Sequence, residues 1–221
     1  MMSDKQKTKA VLFDLDGTLL NTSEGIACSV FHTISVMQLP PISSEEVSAF
    51  IGPPIQESLK RHFGLSDEDV QKGADIFRTY YKDRALFKAD LYPGVIDLLK
   101  LLKQKDFLIG VATYKREDYA IRILKHFGIL EYCDVVHGAD SVNKLRKSDI
   151  IHLCISGMSV NINNVVLVGD TDHDLKGAEE ADVDFIAVTY GFGFRKDARE
   201  ISSKRLVGIA NNPMGIARLL V

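Results

Sequence analysis

Cysteine is scarce: Cys28, Cys133 and Cys154 stand far apart in 221 residues, with no CxxC pair. An odd, dispersed set argues against a disulfide framework and suits a reducing compartment. No apolar run approaches the roughly 20 residues of a membrane span. Met1 to Lys9 is polar and charged, without the apolar stretch of a signal peptide. Basic charge is not in excess either. Lys and Arg number 27 against 30 Asp and Glu, a formal net charge of −3 with the cations scattered, so no nucleic-acid partner is expected. The six histidines show no zinc-pairing pattern. Repeats and low-complexity segments are missing as well. The expectation is a soluble, cytoplasmic protein with no membrane partner, long enough for one domain carrying an insertion.

Against these absences one stretch stands out, Lys9-Ala10-Val11-Leu12-Phe13-Asp14-Leu15-Asp16-Gly17-Thr18. An unbroken apolar run is the pattern of a strand buried on both faces of a parallel sheet. It ends in two carboxylates, a glycine and a hydroxyl. Buried acids need compensation. A divalent cation supplies it, and so does a solvated crevice at the sheet edge.

The residues that follow read as helices: Ser23 to about Met37, a short one from Ser44, Glu57–Phe63 closed by Gly64, and Ser66 to about Arg84. From Leu91 the pattern changes to alternation. Helix Val95–Gln104 precedes strand Phe107–Ala112, which ends at Thr113. A helix from Arg116 to His126 leads to a short strand within Tyr132–His137. Ser148 caps the next helix, before strand Asn164–Val168 and its polar end, Gly169-Asp170. Helix Asp174–Ala181, strand Phe185–Val188 and a last helix after Asn212-Pro213 complete the chain. Alternating strands and helices predict an α/β fold with a doubly wound parallel sheet. Residues 1–20 and 89–221 form its core, with a helical insert at 21–88. In such sheets ligands bind beyond the carboxyl ends of strands, so Asp14, Thr113 and Asp170 are candidates to meet.

Alternation along an extended segment points Asp14 and Asp16 to the same side. Gly17 permits a turn that Thr18 begins to close. An ordinary solvated Asp-Gly turn is the bland reading of this stretch. Gly169-Asp170-Thr171-Asp172-His173-Asp174 places acids at alternate positions after an apolar run, which suggests a cation site. An EF-hand does not fit, because its glycine position is Leu175 and its bidentate acid position Ala181. Asp172 and Asp174 also suit a helix N-terminus. The Thr113 hydroxyl suits either a phosphoryl oxygen or a helix cap. Lys144, Arg146 and Lys147 offer a cation, or a solvated surface cluster. His173 reads as a surface histidine.

Taken together these residues resemble the haloacid dehalogenase-like hydrolases, over nearly the whole chain. Asp14-Leu15-Asp16-Gly17-Thr18 resembles the first motif of that family, Thr113 the second, Lys147 the third, and Gly169-Asp170 through Asp174 the fourth. The insert at 21–88 resembles the family's α-helical cap. The resemblance implies that Asp14 attacks phosphorus and Asp16 serves as acid and then base. It implies Mg²⁺ held by Asp14, the Asp16 carbonyl and Asp170, with Asp174 in support. Thr113 and Lys147 would bind the transferring group, with Lys144 the alternative lysine. Thr18, Gly52, Pro53, Tyr114 and Lys115 are candidates for substrate contact. Gly52-Pro53-Pro54 and Val188-Thr189-Tyr190-Gly191-Phe192-Gly193 are similar to phosphoglycolate phosphatase-like members, whereas Tyr114 stands where the family often has a small or amide residue. The implied protein is a phosphatase acting on a small phosphorylated metabolite, as monomer or homodimer. The alternatives are a phosphosugar mutase of the β-phosphoglucomutase type and a phospho-receiver signalling domain. The mutase is disfavoured because the loop Ile51–Leu59 lacks that group's arginine, and the receiver because it carries no general acid after its phosphoacceptor.

Overall fold

The computed structural model describes residues 9–140, 144–194 and 201–221. Along the chain its elements are β1 (Ala10–Phe13), β2 (Leu20–Asn21), α1 (Ser23–Met37), α2 (Ile55–Phe63), α3 (Asp67–Tyr80) and β3 (Asp90–Leu91). Then come α4 (Val95–Gln104), β4 (Leu108–Arg116), α5 (Glu117–His126), β5 (Val135–Ala139) and α6 (Lys147–Met158). The remainder is β6 (Val165–Gly169), α7 (Asp172–Glu180), β7 (Asp184–Val188), β8 (Leu206–Ala210) and α8 (Pro213–Leu220).

All four residues of β1 are fully buried, and they divide between two cores. Val11 and Phe13 enter one, Ala10 and Leu12 the other. The same alternation sends Val166, Val168, Ile186 and Val188 to the first face, and Val165, Leu167, Phe185 and Ala187 to the second. Helices α4, α5 and α8 cover the first face; α6 and α7 cover the second. A strand buried on both sides has no use for polar alternation, which is why these runs are continuously apolar.

Strand order is β5-β4-β1-β6-β7-β8, with every pair parallel. The chain winds outward from β1 through β4 to β5, then returns to β6 on the other flank of β1. The direction of winding therefore reverses between β1 and β6, and such a reversal opens a crevice at the carboxyl ends. Register brings the ends level: Phe13 lies beside Val111 on one side and Val168 on the other.

Helices alone occupy the stretch between β2 and β3, which pair antiparallel through Leu20–Leu91 and Asn21–Asp90. The module leaves and rejoins the core at that ribbon. Its buried residues, among them Val30, Ile34, Leu59 and Ala74, are continuous with the first core. No helix among the described residues is long and apolar enough to cross a membrane.

Several boundaries differ from the sequence expectation. The strand β8 was not expected. It is an edge strand whose Val207 and Ile209 are exposed, so it lacks the buried run that marks the others. Helix α6 begins at Lys147 with Arg146 at its cap, not Ser148; Asp149 reaches back to the Arg146 amide at 2.9 Å. Helix α7 begins at Asp172, because Thr171 caps it and exchanges hydrogen bonds with Asp174. The third core strand lies at 135–139, after a turn at Leu130–Tyr132. The last turn of the long module helix widens to π geometry at Tyr81–Ala85.

Candidate active site

The crevice begins where β1 ends. The Asp14 amide still donates to the Val168 carbonyl at 2.9 Å, continuing the sheet by one residue. The chain then folds back sharply: the amides of Leu19 and Leu20 both reach the Leu15 carbonyl at 3.0 Å. Gly17 makes that turn at φ +89°, a region that a Cβ disfavours. A side chain there would also strike the Asp170 carboxylate and the Phe192 ring.

Three carboxylates from three places in the sequence converge. Oxygens of Asp14, Asp170 and Asp174 lie within 4.8 Å of one another, all buried. Lys147 is 2% exposed, and its Nζ sits 2.6 Å from both Asp14 Oδ1 and Asp174 Oδ1. Asp174 Oδ2 accepts from the Thr171 hydroxyl at 2.7 Å and the Thr171 amide at 3.1 Å. Asp170 accepts from the Phe192 amide at 2.7 Å and the Thr18 hydroxyl at 3.3 Å.

Charge in this cluster is unbalanced: three acids face one ammonium. Burial pushes the Asp14 carboxyl up to about 7, with Asp174 and Asp16 adding to the rise and Lys147 opposing it. Asp170 is raised as well, by burial first and then by Asp174 and Asp14. Burial works against the Lys147 charge, yet Asp14 and Asp174 together hold its pKa above the usual lysine value. An all-oxygen donor set with surplus negative charge is the chemistry that a hard divalent cation such as Mg²⁺ matches. The residues fit that group.

Asp16 faces the same small pocket, about 20 Å³, as Asp14, Thr113, Lys147 and Asp174. Its carboxylate pairs with Lys115 Nζ at 3.1 Å, and that same ammonium donates to Tyr81 Oη at 2.8 Å. Tyr81 belongs to the helical module and Lys115 to β4, so one cation spans the seam between them. Burial opposes the Lys115 charge, but Asp16 and Tyr81 outweigh it and keep its pKa above the ordinary lysine range. The Thr113 hydroxyl accepts from the Lys115 amide at 3.1 Å, which leaves its own proton free to donate.

Gly52, Tyr114 and Lys115 line this small pocket. With Asp16 they also border an adjoining cavity of about 100 Å³, which Pro53 lines as well. Thr18 behaves differently. It is fully buried, holds Asp170 from behind, and lines neither space. Lys144 is exposed, whereas Lys147 is the ammonium among the acids. Tyr114, the departure from the family pattern, has a local use: its Oη accepts the Lys147 amide at 3.0 Å and braces the start of α6. Asp172 is exposed, and half-buried His173 lies edge-on to Tyr114.

Sequence reasoning missed three groups. Tyr81, Arg78, Arg116 and Tyr119 line the larger cavity but carry no motif. Gly177 makes room for the Lys147 stem, and a Cβ there would overlap it. Gly191 lies against the Asp170 carboxylate and the Gly17 carbonyl in the same way. The Tyr190-to-Gly193 resemblance was the available signal for Gly191; Gly177 offered none.

Comparison with known proteins agrees with this geometry. A family model described as haloacid dehalogenase-like hydrolase matches residues 11–188. A protein named tyrosine-protein kinase PtkA from Mycobacterium tuberculosis is 32% identical over 192 residues, 86% of this chain. The match spans only 65% of that relative's length. A phosphoglycolate phosphatase from Agrobacterium fabrum is 29% identical over 199 residues, covering 86% of this chain and 84% of its own. The crystal structure of a predicted phosphatase from Clostridium acetobutylicum superposes with a TM-score of 0.89 at 28% identity, covering 98% of this chain and all of that one.

Proposed function

The chain belongs to the haloacid dehalogenase-like hydrolases, and on that premise we propose that it is a Mg²⁺-dependent phosphatase acting on a small phosphomonoester, with phosphoglycolate the first candidate. The observation that carries this reading is Asp14, held at the winding reversal between Lys147 and two further acids, with Asp16 facing the same pocket. Residues 21–88 serve as the cap. Its hinges are at Asn21-Thr22 and Lys88-Ala89, beside the β2–β3 ribbon.

The Asp14 carboxylate attacks phosphorus, and the bond from phosphorus to the leaving oxygen breaks as Asp16 gives that oxygen a proton. The product leaves an aspartyl-phosphate on Asp14. Asp16, now a carboxylate, takes a proton from water; the hydroxide attacks phosphorus and frees both phosphate and Asp14. Thr113 donates its hydroxyl to a phosphoryl oxygen, and Lys147 offsets the group's charge. Asp14, the Asp16 carbonyl and Asp170, with Asp174 in support, would hold Mg²⁺, which would supply neutralisation of phosphoryl charge. Gly52 and Pro53 close over the pocket from the cap and exclude water during the first transfer.

The test is phosphate release across a panel of phosphorylated metabolites, with Mg²⁺ and with chelator, for wild type and Asp14→Asn. Release that depends on Mg²⁺ and vanishes in the variant is expected. Equal release by the variant removes Asp14 as nucleophile. One observation favours a second acceptor, the 32% identity to a protein named a tyrosine kinase. Adding ATP and a tyrosine peptide to the same assay separates the two, since phosphotyrosine would appear in place of free phosphate.

A further inference from the structure

The larger cavity has a charge pattern that the phosphoryl chemistry does not use. Its lining contains one acid, Asp16, and three cations, Arg78, Lys115 and Arg116. Two of the cations are already committed. Lys115 spans Asp16 and Tyr81. Arg116 makes a two-point pair with Asp118, both bonds 2.6 Å, and lies over the Tyr119 ring at 4.1 Å.

Arg78 is not committed. Its side chain is 17% exposed, and its nearest carboxylate, Asp75 one turn earlier, stands 3.8 Å away. That is beyond hydrogen-bond reach, and the same Asp75 oxygen already accepts from Gln71 at 2.9 Å. Among the described residues no hydrogen bond from the Arg78 guanidinium is found. A mostly buried guanidinium carries five donors and cannot shed its charge. Left unfilled in a cavity wall, it is suited to an anion presented with two oxygens.

We propose that the leaving group of the substrate carries a second anionic group, a carboxylate or a phosphate, and that Arg78 is the specificity-determining residue that receives it. This rests on the phosphatase reading and narrows its substrate class. The cavity is apolar elsewhere, with Phe50, Phe77 and Tyr119 in its wall, so the carbon skeleton between the two acidic groups packs against rings. A neutral alcohol as leaving group would leave Arg78 buried without a partner, which is costly.

The experiment compares esters matched except for the second acid, at two lengths: phosphoglycolate with ethyl phosphate, and 3-phosphoglycerate with glycerol 3-phosphate. Values of kcat/KM are measured for wild type, Arg78→Gln and Arg78→Lys. Wild type should prefer the acidic member of at least one pair by about 10-fold or more, the scale of a hydrogen bond to a charged group. Arg78→Gln should lose that preference, and Arg78→Lys should recover part of it. Because each ratio is taken on one protein, a general loss of folding cancels. Equal loss on both members of each pair, or no preference in wild type, overturns the assignment. Binding of the same esters to Asp14→Asn, followed by calorimetry, reads the subsite without turnover. If the acidic ester binds there through Arg78 but wild type releases no phosphate, the phosphatase reading fails while the subsite stands.

Discussion

Replacing Asp14 by Asn should stabilise the metal-free protein while abolishing turnover. Burial holds the Asp14 carboxyl up to about 7, against an ordinary value of 3.8. Each unit of difference is about 1.4 kcal/mol, so keeping Asp14 ionised above neutrality costs the fold about 4 kcal/mol relative to the unfolded chain. The opposing pull of Lys147 is already contained in that net rise. Asparagine keeps the shape and removes the charge. Between the two pKa values the folded protein binds more protons than the unfolded chain, so wild-type stability declines as pH rises through that window. The variant lacks this component. The gap between them should be near zero at about pH 4 and reach about 2–4 kcal/mol at about pH 8, or roughly 5–15 °C in Tm for a chain of this length. Thermal and urea melts in chelator at several pH values measure it. Adding Mg²⁺ should shrink or reverse the gap, since wild type keeps the full ligand set and gains more from binding. An Asn variant less stable than wild type at about pH 8 in chelator, or a gap that ignores pH, would refute the reasoning.

Three other outcomes follow from the same geometry. Lys147→Met removes the ammonium 2.6 Å from two buried acids and should cost about 3–5 kcal/mol in chelator by urea melts, with Mg²⁺ restoring part of it; a variant as stable as wild type in chelator contradicts the pairing. Gly17→Ala puts a Cβ at φ +89° and against the Asp170 carboxylate, so a loss of at least about 2 kcal/mol in denaturant melts is expected, together with weakened Mg²⁺ binding by calorimetry. Tyr81→Phe deletes the 2.8 Å bond to Lys115 across the seam and should lower kcat by about 3–10-fold with little change in Tm; an unchanged kcat would sever Tyr81 from the function of Asp16.

The core sheet was legible because its physics is local. Ala10–Phe13, Val165–Gly169 and Asp184–Val188 are buried on both faces, and double burial writes an apolar run straight into the sequence. Asp14 and Asp170 were legible for the same reason: each stands at the end of such a run, whereas Asp174 lies in α7. Strand β8 escaped because it is an edge, half wet: burial alternates over Leu206–Ala210, yet its exposed positions, Val207 and Ile209, are apolar, so no polar alternation marks it. The starts of α6 and α7 slipped by two residues: Thr171 caps through a reciprocal pairing with Asp174, while the Arg146 amide and guanidinium both donate to Asp149, neither of which spacing alone ranks above Ser148.

What the sequence hid belongs to the seam and to packing around the acids. Lys115 is adjacent in sequence to Tyr114, yet one points to the Tyr81 hydroxyl of the module and the other to the amide of Lys147. Which way each turns depends on the irregular pairing of β4 with β5 between Ala112 and Arg116, and no side-chain pattern reports it. Arg78 sits on a helix whose exposed face is rich in charge, so among Lys72, Arg78 and Lys82 nothing distinguishes the cation that turns inward. Gly177 is similar: in the sequence it looks like a weak helix residue, and only the Lys147 stem lying against it explains why a Cβ is excluded. The converging acids can thus be found from strand ends, but the groups that line the larger cavity are set by how the helical module packs on β4, a contact between segments more than thirty residues apart.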